Sequence, residues 1–487
     1  MFDSSAAPLR AAMFAACLTG VLAACSTLPR YSVPEVDVPA HYAAAQPSAG
    51  WAVASPADDA PRGAWWTVFG DSELDQLEAR VDVSNQTVKK AVAQLQAARA
   101  LVDYQRAGYA PTVSAGVAQE RFRTSQNLQH RALAGKTIPD YSTGLAASWE
   151  PDLFGRVKDA TVQASDSAQA SQADLEAVRL SVTSDLAADY IDLRSLDRQK
   201  KLLDDTVNAY ASALRIVQQQ LADDAIDASA VAQAQTQLES ARTQDSDIDV
   251  KRTHTQDAIA TLCGVPASSF TLPPKIEAIT LPDVPAGVPS ELLERRPDIA
   301  AAERRVAAAN AQIGVAHAAF YPDLTLSASA GLESTFFAPW LTASSLFWSL
   351  GAQLTGTLFD GGRRDATLAR AKAQYQGDVA DYRQTVLTAF QEVEDNLGTL
   401  NTLAQEAESQ QRATAAAELS LRLATNRYQA GAVDYLDVAS AQTIALQNER
   451  NGETIDARRL DASVQLLKAL GGGWNRAALG GADIAKR

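Results

Sequence analysis

The chain has 487 residues, 46% hydrophobic and 21% charged, and carries a net charge of −15. Its apolar fraction leans on alanine while aromatics make up only 6%, which favours long, closely packed helices over a wide β-sandwich core. An acidic chain without a Lys/Arg run is a poor partner for nucleic acid, because phosphates need positive groups.

In chain order the first feature is an address. Arg10 precedes an apolar run from Ala11 to Ala24, broken only by Thr19 and Gly20. The run is too short to span a bilayer as a helix and suits a signal peptide over residues 1–24. It ends Leu22-Ala23-Ala24-Cys25, followed by Ser26, which resembles the lipobox of bacterial lipoproteins. That resemblance implies acylation (palmitate among the chains) at Cys25, cleavage just before it, and sorting to the outer membrane. An ordinary secretory signal with a chance cysteine is the weaker alternative. No long apolar run follows Cys25, so strands must make any membrane crossing. Residues 25–70 are expected to form a lipid-anchored N-terminal segment and equatorial region.

A first repeat is expected over residues 71–265. After a helix ending at Gly108-Tyr109-Ala110-Pro111, the period changes from helical to two. Val113, Ala115 and Val117 share one face of a strand over 112–123. Tyr141, Leu145, Ala147 and Trp149 alternate with Ser142, Gly144 and Ser148 over 141–149. From Arg156 to Cys263 there is neither Gly nor Pro. Leu175, Val178, Val182, Leu186, Leu193, Leu196, Leu203, Val207, Tyr210, Leu214, Val217 and Leu221 follow spacings of three, four or seven, a coiled-coil-like seam. Such a helix, from Gly155 to about Leu221, is roughly 100 Å long, which suits a coiled coil or a tube wall. The hairpin tip is expected at 221–229, with Asp224 and Asp227 in the turn.

Prolines 266, 273, 274, 282, 285 and 289 mark an extended linker over 266–289. Residues 290–470 then repeat the plan. Ala319-Phe320-Tyr321-Pro322 answers Gly108-Tyr109-Ala110-Pro111, and Leu358-Phe359-Asp360-Gly361-Gly362-Arg363 echoes Pro151-Asp152-Leu153-Phe154-Gly155-Arg156. Leu324, Leu326, Ala328, Ala330 and Leu332 give one face of a strand over 323–334. Leu346, Trp348, Leu350, Ala352, Leu354 and Leu358 do so over 346–358. A second seam runs through Tyr382, Val386, Ala389, Val393, Leu397, Leu400, Ala404 and Ala407, towards a tip at 428–437. Residues 471–487 form a tail.

Each strand has about the 9–11 residues that a tilted crossing needs, apolar outside and small-polar inside. A half-buried sheet in a soluble domain reads identically strand by strand; the lipobox favours the membrane. Four strands cannot close a membrane barrel, and open edges are not tolerated in lipid. Several chains must therefore share one; three give about twelve strands with a usable bore.

Chemistry-bearing side chains are sparse. Three cysteines (Cys17, Cys25, Cys263) leave no disulfide framework. His41, His130, His254 and His317 show no ligand spacing. No catalytic, cofactor or metal site is expected.

The run Leu292-Leu293-Glu294-Arg295-Arg296-Pro297-Asp298-Ile299, then Ala302-Glu303, Ala311-Gln312-Ile313-Gly314 and Phe320-Tyr321-Pro322, resembles the signature of TolC-type outer-membrane efflux proteins. Trp65-Trp66, Phe69-Gly70-Asp71 and Leu74 are similar to the N-terminal motif of the lipidated, NodT-like branch. The resemblance implies a mainly helical, tandem-duplicated α-barrel with four transmembrane strands per chain, closing in a homotrimer as a 12-stranded β-barrel. It implies a passive exit duct for drugs or other small toxic compounds, hence a part in antibiotic resistance. It also implies that the duct is opened by docking of a periplasmic adaptor and an inner-membrane transporter, with most of the chain in the periplasm of a Gram-negative bacterium. An exit duct for type I protein secretion, or a lipid-anchored coiled-coil scaffold without a pore, are the alternatives. The family's periplasmic tip matches Arg427, Tyr428, Gly431 and Asp437. Asp224 stands where the family's first tip carries Gly, and Asp can adopt the left-handed turn. Ala230 stands where it carries Asp, which removes a partner for Tyr428. Asp434 and Asp437 are expected to narrow the aperture as rings of carboxylates; the plainer reading is that they cap the returning helix.

Overall fold

In the computed structural model, the described residues are 30–39, 41–44, 64–127, 134–224, 226–282 and 295–473. The expected signal peptide, Cys25, linker residues 283–289 and tail residues 474–487 lie outside them. The described chain is mainly helical: α1 (Ser72–Ser84), α2 (Gln86–Ala107), β1 (Thr112–Arg123), β2 (Thr137–Trp149), α3 (Arg156–Ala222), α4 (Ala228–Leu262), α5 (Pro297–Ala318), β3 (Asp323–Ser334), β4 (Leu346–Thr355), α6 (Arg363–Gln429) and α7 (Tyr435–Ala469). Among these residues no helix is long and apolar enough to cross a membrane.

The chain divides into two compact units. One holds Leu95–Ser171 and Ala302–Tyr382, and so the whole sheet. The strands pair antiparallel in the order β1-β2-β3-β4. β2 starts at Thr137, four residues ahead of the alternation read from Tyr141, and takes in Pro139. Proline is tolerated there because β3 ends at Ser334, opposite Tyr141, so at Pro139 only β1 is a neighbour. Beside the sheet, Val102 packs on Ala164 and Ala168, and Ile313 and Ala316 on Ala371. The N-terminal segment is tied to this unit by the Tyr31 hydroxyl, which donates to the Glu303 carboxylate.

The other unit holds Gln172–Ala301 and Arg383–Arg487, with Val36–Gln94. Asp71 caps α1 by accepting from the amides of Glu73 and Leu74, and Asn85 caps α2 through Thr87 and Val88. The first seam is closed: Leu186, Leu193 and Leu203 are fully buried. At its root lies Arg194, with no exposed surface. Its guanidinium donates to Asp197 at 2.5 Å, to Glu73 and to the Pro273 carbonyl, each at 3.0 Å, and lies over the Tyr190 ring. Arg252 bonds Asp197 at 2.7 Å and the Leu272 carbonyl at 2.8 Å; Lys275 bonds Asp71 at 2.8 Å. The proline-rich connection is thus stapled to both helices of the first hairpin. Burial raises the Asp71 pKa, but Lys275, the cap amides and Tyr190 outweigh it and hold the group below the usual carboxylate range.

The second seam differs from its sequence reading. Tyr382, Val386, Ala389, Val393 and Leu397 are buried, but Leu403 then takes the buried place expected for Ala404, which is exposed. Ala404, Ala407 and Gly452 instead border an open cavity of about 790 Å³ with Glu408, Glu449 and Glu453. Side chains this small cannot close the space between two helices.

Candidate functional site

Two places bear on function: the wall made by the strands and the tips of the two hairpins. Register aligns side chains of like character across the sheet. Val113, Ala147, Ala328 and Leu350 form one row; Ala115, Leu145, Ala330 and Trp348 the next; Val117, Thr143, Leu332 and Leu346 the third. The intervening rows are Thr112-Ser148-Ser327-Gly351 and Ser114-Ala146-Ser329-Ser349. Since successive strand residues point to opposite faces, one face is apolar but for Thr143 in these rows, and the other is small and polar. Trp348 and Leu350 are 70% and 75% exposed, so the chain alone leaves the apolar face uncovered.

One polar-face row contains a large side chain that alternation did not foresee. Gly116, Gly144 and Gly331 run across the sheet to Phe347. A Cβ on Gly331 would stand 3.0 Å from the Phe347 ring and 2.8 Å from Gly144 Cα. The glycines let the strands bend closely, and the ring lies over the gap. A run of glycines in register at one level was the available signal.

At the first tip Asp224 has φ 57°, the left-handed turn expected of it, and Asp227 caps α4 by accepting from the Ser229 amide at 2.9 Å. At the second tip Gly431 has φ 70°. Asp434 occupies the N-cap position of α7, but its side chain makes no capping bond. Asp434 and Asp437 are both exposed. Capping therefore accounts for Asp227 and not for Asp434. Beneath the tips, Val217, Ala234, Tyr435, Val438 and Ala439 form a core against which Ala230 packs, so a carboxylate at 230 would be desolvated.

Tyr428 still has a partner across the hairpins. Its hydroxyl donates to Gln220 Oε1 at 2.6 Å, and its ring meets Tyr435 edge-on at 5.8 Å. Tyr435 in turn donates to Gln237 Oε1 at 3.4 Å. Reading position against family pattern found the loss at Ala230 and missed Gln220, which supplies a bond from a different turn of α3. Cys263 is buried and free; burial pushes its thiol up to about 11, which keeps it unreactive.

A four-stranded sheet with one largely apolar face, joined in the chain to long helical hairpins, is the architecture of an outer-membrane channel protein. The chain belongs to the outer membrane efflux protein family, whose model matches residues 79–265 and 288–472, one stretch in each repeat. It is 32% identical to the probable efflux pump outer membrane protein TtgC of Pseudomonas putida over 461 residues, 93% of this chain and 94% of that protein. It is 29% identical to the cation efflux system protein CusC of Escherichia coli, covering 94% of this chain and 98% of that one. The Campylobacter jejuni CmeC outer membrane channel shares the fold, with a TM-score of 0.87 at 24% identity, over 95% of this chain and 97% of that chain. The protein is accordingly an outer-membrane efflux component.

Proposed function

We propose that three copies of this chain form a passive exit duct for drugs or other small toxic compounds. The observation that carries the reading is the sheet itself: one predominantly apolar face, with β1 and β4 left as open edges. Lipid offers those edges no hydrogen bonds. Joining β1 of one copy to β4 of the next satisfies them, and three copies give about twelve strands and a water-filled bore. Lipid on Cys25 holds each copy at the membrane. The helical hairpins continue the duct into the periplasm, where an adaptor and an inner-membrane transporter dock. The duct has no catalytic step; the pump chooses the cargo.

At the tips, Asp434 and Asp437 would each form a ring of three carboxylates. Their exposure, and the missing cap at Asp434, favour this role. Such rings attract cations and narrow the closed aperture.

Single-particle imaging of the full-length protein in detergent tests the assembly. A three-fold particle with a hollow helical end supports it; monomers, or a particle without a barrel end, remove it. Conductance of Asp437→Asn in planar bilayers tests the ring, and unchanged cation dependence removes Asp437 from the aperture.

A further inference from the structure

Beyond the apolar rows, the far ends of the strands sort charge by face. On β1 the apolar positions Val113, Ala115 and Val117 continue into Gln119, Arg121 and Arg123; the alternate positions lead to Glu120. Glu120 pairs with Asp140, and Glu333 stands opposite Ser142, all on the small-polar face. Guanidinium groups therefore leave the sheet on the apolar side and carboxylates on the polar side. Arg121 and Arg123 are exposed.

The β3–β4 connection adds aromatics to the arginine side. Tyr141 lies in the apolar-face register with Leu145, Ala147 and Trp149. Its ring meets Phe337 at 5.5 Å and Trp340 at 5.8 Å, and these two meet each other at 6.2 Å. Trp340 Nε1 donates to the Leu332 carbonyl at 3.3 Å. Hydroxyls of Thr342 and Ser345 both donate to the Pro339 carbonyl, at 2.6 and 2.8 Å, so the turn is braced. The connection folds outward over the apolar face instead of across the polar one. Phe336 and Phe337 stay 71% and 69% exposed. Gln119 pairs with Tyr141 and Arg121 with Pro139, which sets Arg121 on a diagonal from Tyr141, about 7–8 Å away.

We propose that this pad binds the phosphate-bearing headgroup of an outer-leaflet lipid. Arg121 and Arg123 take the phosphates, while Tyr141, Phe336, Phe337 and Trp340 rest on the upper acyl chains. The inference rests on the strands crossing the membrane. Two features select lipid as the occupant. The pad continues the face that the duct turns to the bilayer, at the level where aromatic girdles sit. Its charge complements anionic headgroups. The carboxylates on the opposite face keep such phosphates out of the mouth.

Native mass spectrometry of the full-length protein, loaded with diphosphoryl lipid A or its dephosphorylated counterpart, tests the pad, with conductance recorded on the same preparations. Wild type should retain the phosphorylated lipid at least about tenfold better, and Arg121→Gln/Arg123→Gln should lose that preference. Arg121→Lys/Arg123→Lys should keep most of it. Phe336→Ser/Phe337→Ser should weaken retention of both lipids alike. A preference that survives the glutamine pair, or is missing in wild type, with conductance intact, overturns the proposal and leaves the duct standing. A wild-type particle without three-fold symmetry or a barrel end, imaged from the same preparations, overturns the duct instead. A change of subunit number in Phe336→Ser/Phe337→Ser, with lipid retention unchanged, assigns the pad to a protein contact and also overturns it.

Discussion

The two hairpins are built on one plan and held in different ways. Around α3 and α4, a buried arginine, a proline-rich connection and an unbroken apolar seam fix the root. Around α6 and α7 the corresponding seam opens into a cavity after Leu403. There Arg296 anchors a buried root, and its side-chain partners Asp298 and Glu392 keep much of their solvent. Duplication copies the geometry of a hairpin without copying its energetics. The cavity in one and the closed seam in the other follow from where Ala and Gly replace larger side chains.

The largest test of this contrast is Arg194→Met. It takes the shortest bond from buried Asp197, which keeps Arg252 and the Lys275 amide, leaves Glu73 with the Tyr190 hydroxyl, and removes the donor to the Pro273 carbonyl. Three bonds to a buried cation are lost together, so stability should fall by about 3–5 kcal/mol, read as denaturant unfolding of the helical signal. Arg296→Met should lose less, about 2 kcal/mol: the Ala469 carbonyl loses its buried donor, but Asp298 and Glu392 can return to water. Equal losses at the two sites would erase the distinction between the roots.

The next effect lies in a flaw of the rigid half. Glu78 on α1 is buried, and neither carboxylate oxygen has a hydrogen-bond partner among the described residues. Burial first, then the nearby Asp82 and Asp75, raises its pKa to about 9. The folded chain thus holds the proton while the unfolded chain releases it near its ordinary value. Stability tied to this group is full below about pH 4.5 and drains away as pH climbs towards 9. Glu78→Gln should remove that slope and add about 3 kcal/mol at pH 7, with no gain at pH 4. A gain of the same size at both pH values would mean that packing, and not the proton, is responsible.

Much of this was legible in the sequence because it is periodic. Strand faces follow from alternation at Leu324–Leu332 and Leu346–Leu354, and the first seam from heptad spacing at Leu186, Leu193 and Leu203. Asp224 in a left-handed turn was readable from its place in the family pattern, where Gly is usual, together with the tolerance of Asp for that turn. What escaped depends on contacts far apart in the chain. The Arg194 cluster gathers residues from 71 to 275, and Tyr428 reaches Gln220 across 208 positions. Leu403 displaces Ala404 because the neighbouring helices, not the heptad count, decide which face is covered. Phe336, Phe337 and Trp340 are legible in the sequence as interfacial anchors of an outside-facing loop, but whether that loop folds outward or over the bore needed Tyr141 to be placed on a face first.

Where the hairpins meet at their tips, the contrast narrows to neutral bonds, of which Tyr428 to Gln220 is the shortest of those named, at 2.6 Å. Tyr428→Phe or Gln220→Ala should each lose about 1 kcal/mol, and a double-mutant cycle should return a coupling of similar size. Both partners are uncharged, so the coupling should not change with salt. A coupling that collapses between 0.05 and 0.5 M salt (roughly a threefold change in screening length) would point to a charged contact in its place.

The smallest effect asks what the slack is for. α3 and α4 contain no glycine, whereas α6 carries Gly377 and Gly398 and α7 carries Gly452. Within one chain a Cβ at Gly398 or Gly452 would meet nothing within 4 Å. Glycine inside a helix forfeits about 0.5–1 kcal/mol against alanine through backbone entropy. Gly398→Ala and Gly452→Ala should therefore each gain about that much in the isolated chain. The assembled protein gives the sharper answer. If the gain persists there, the space is slack that the second hairpin keeps for movement. If alanine weakens assembly, the missing side chains mark where the backbone of a neighbouring copy comes close, and the looser hairpin is completed by its partner.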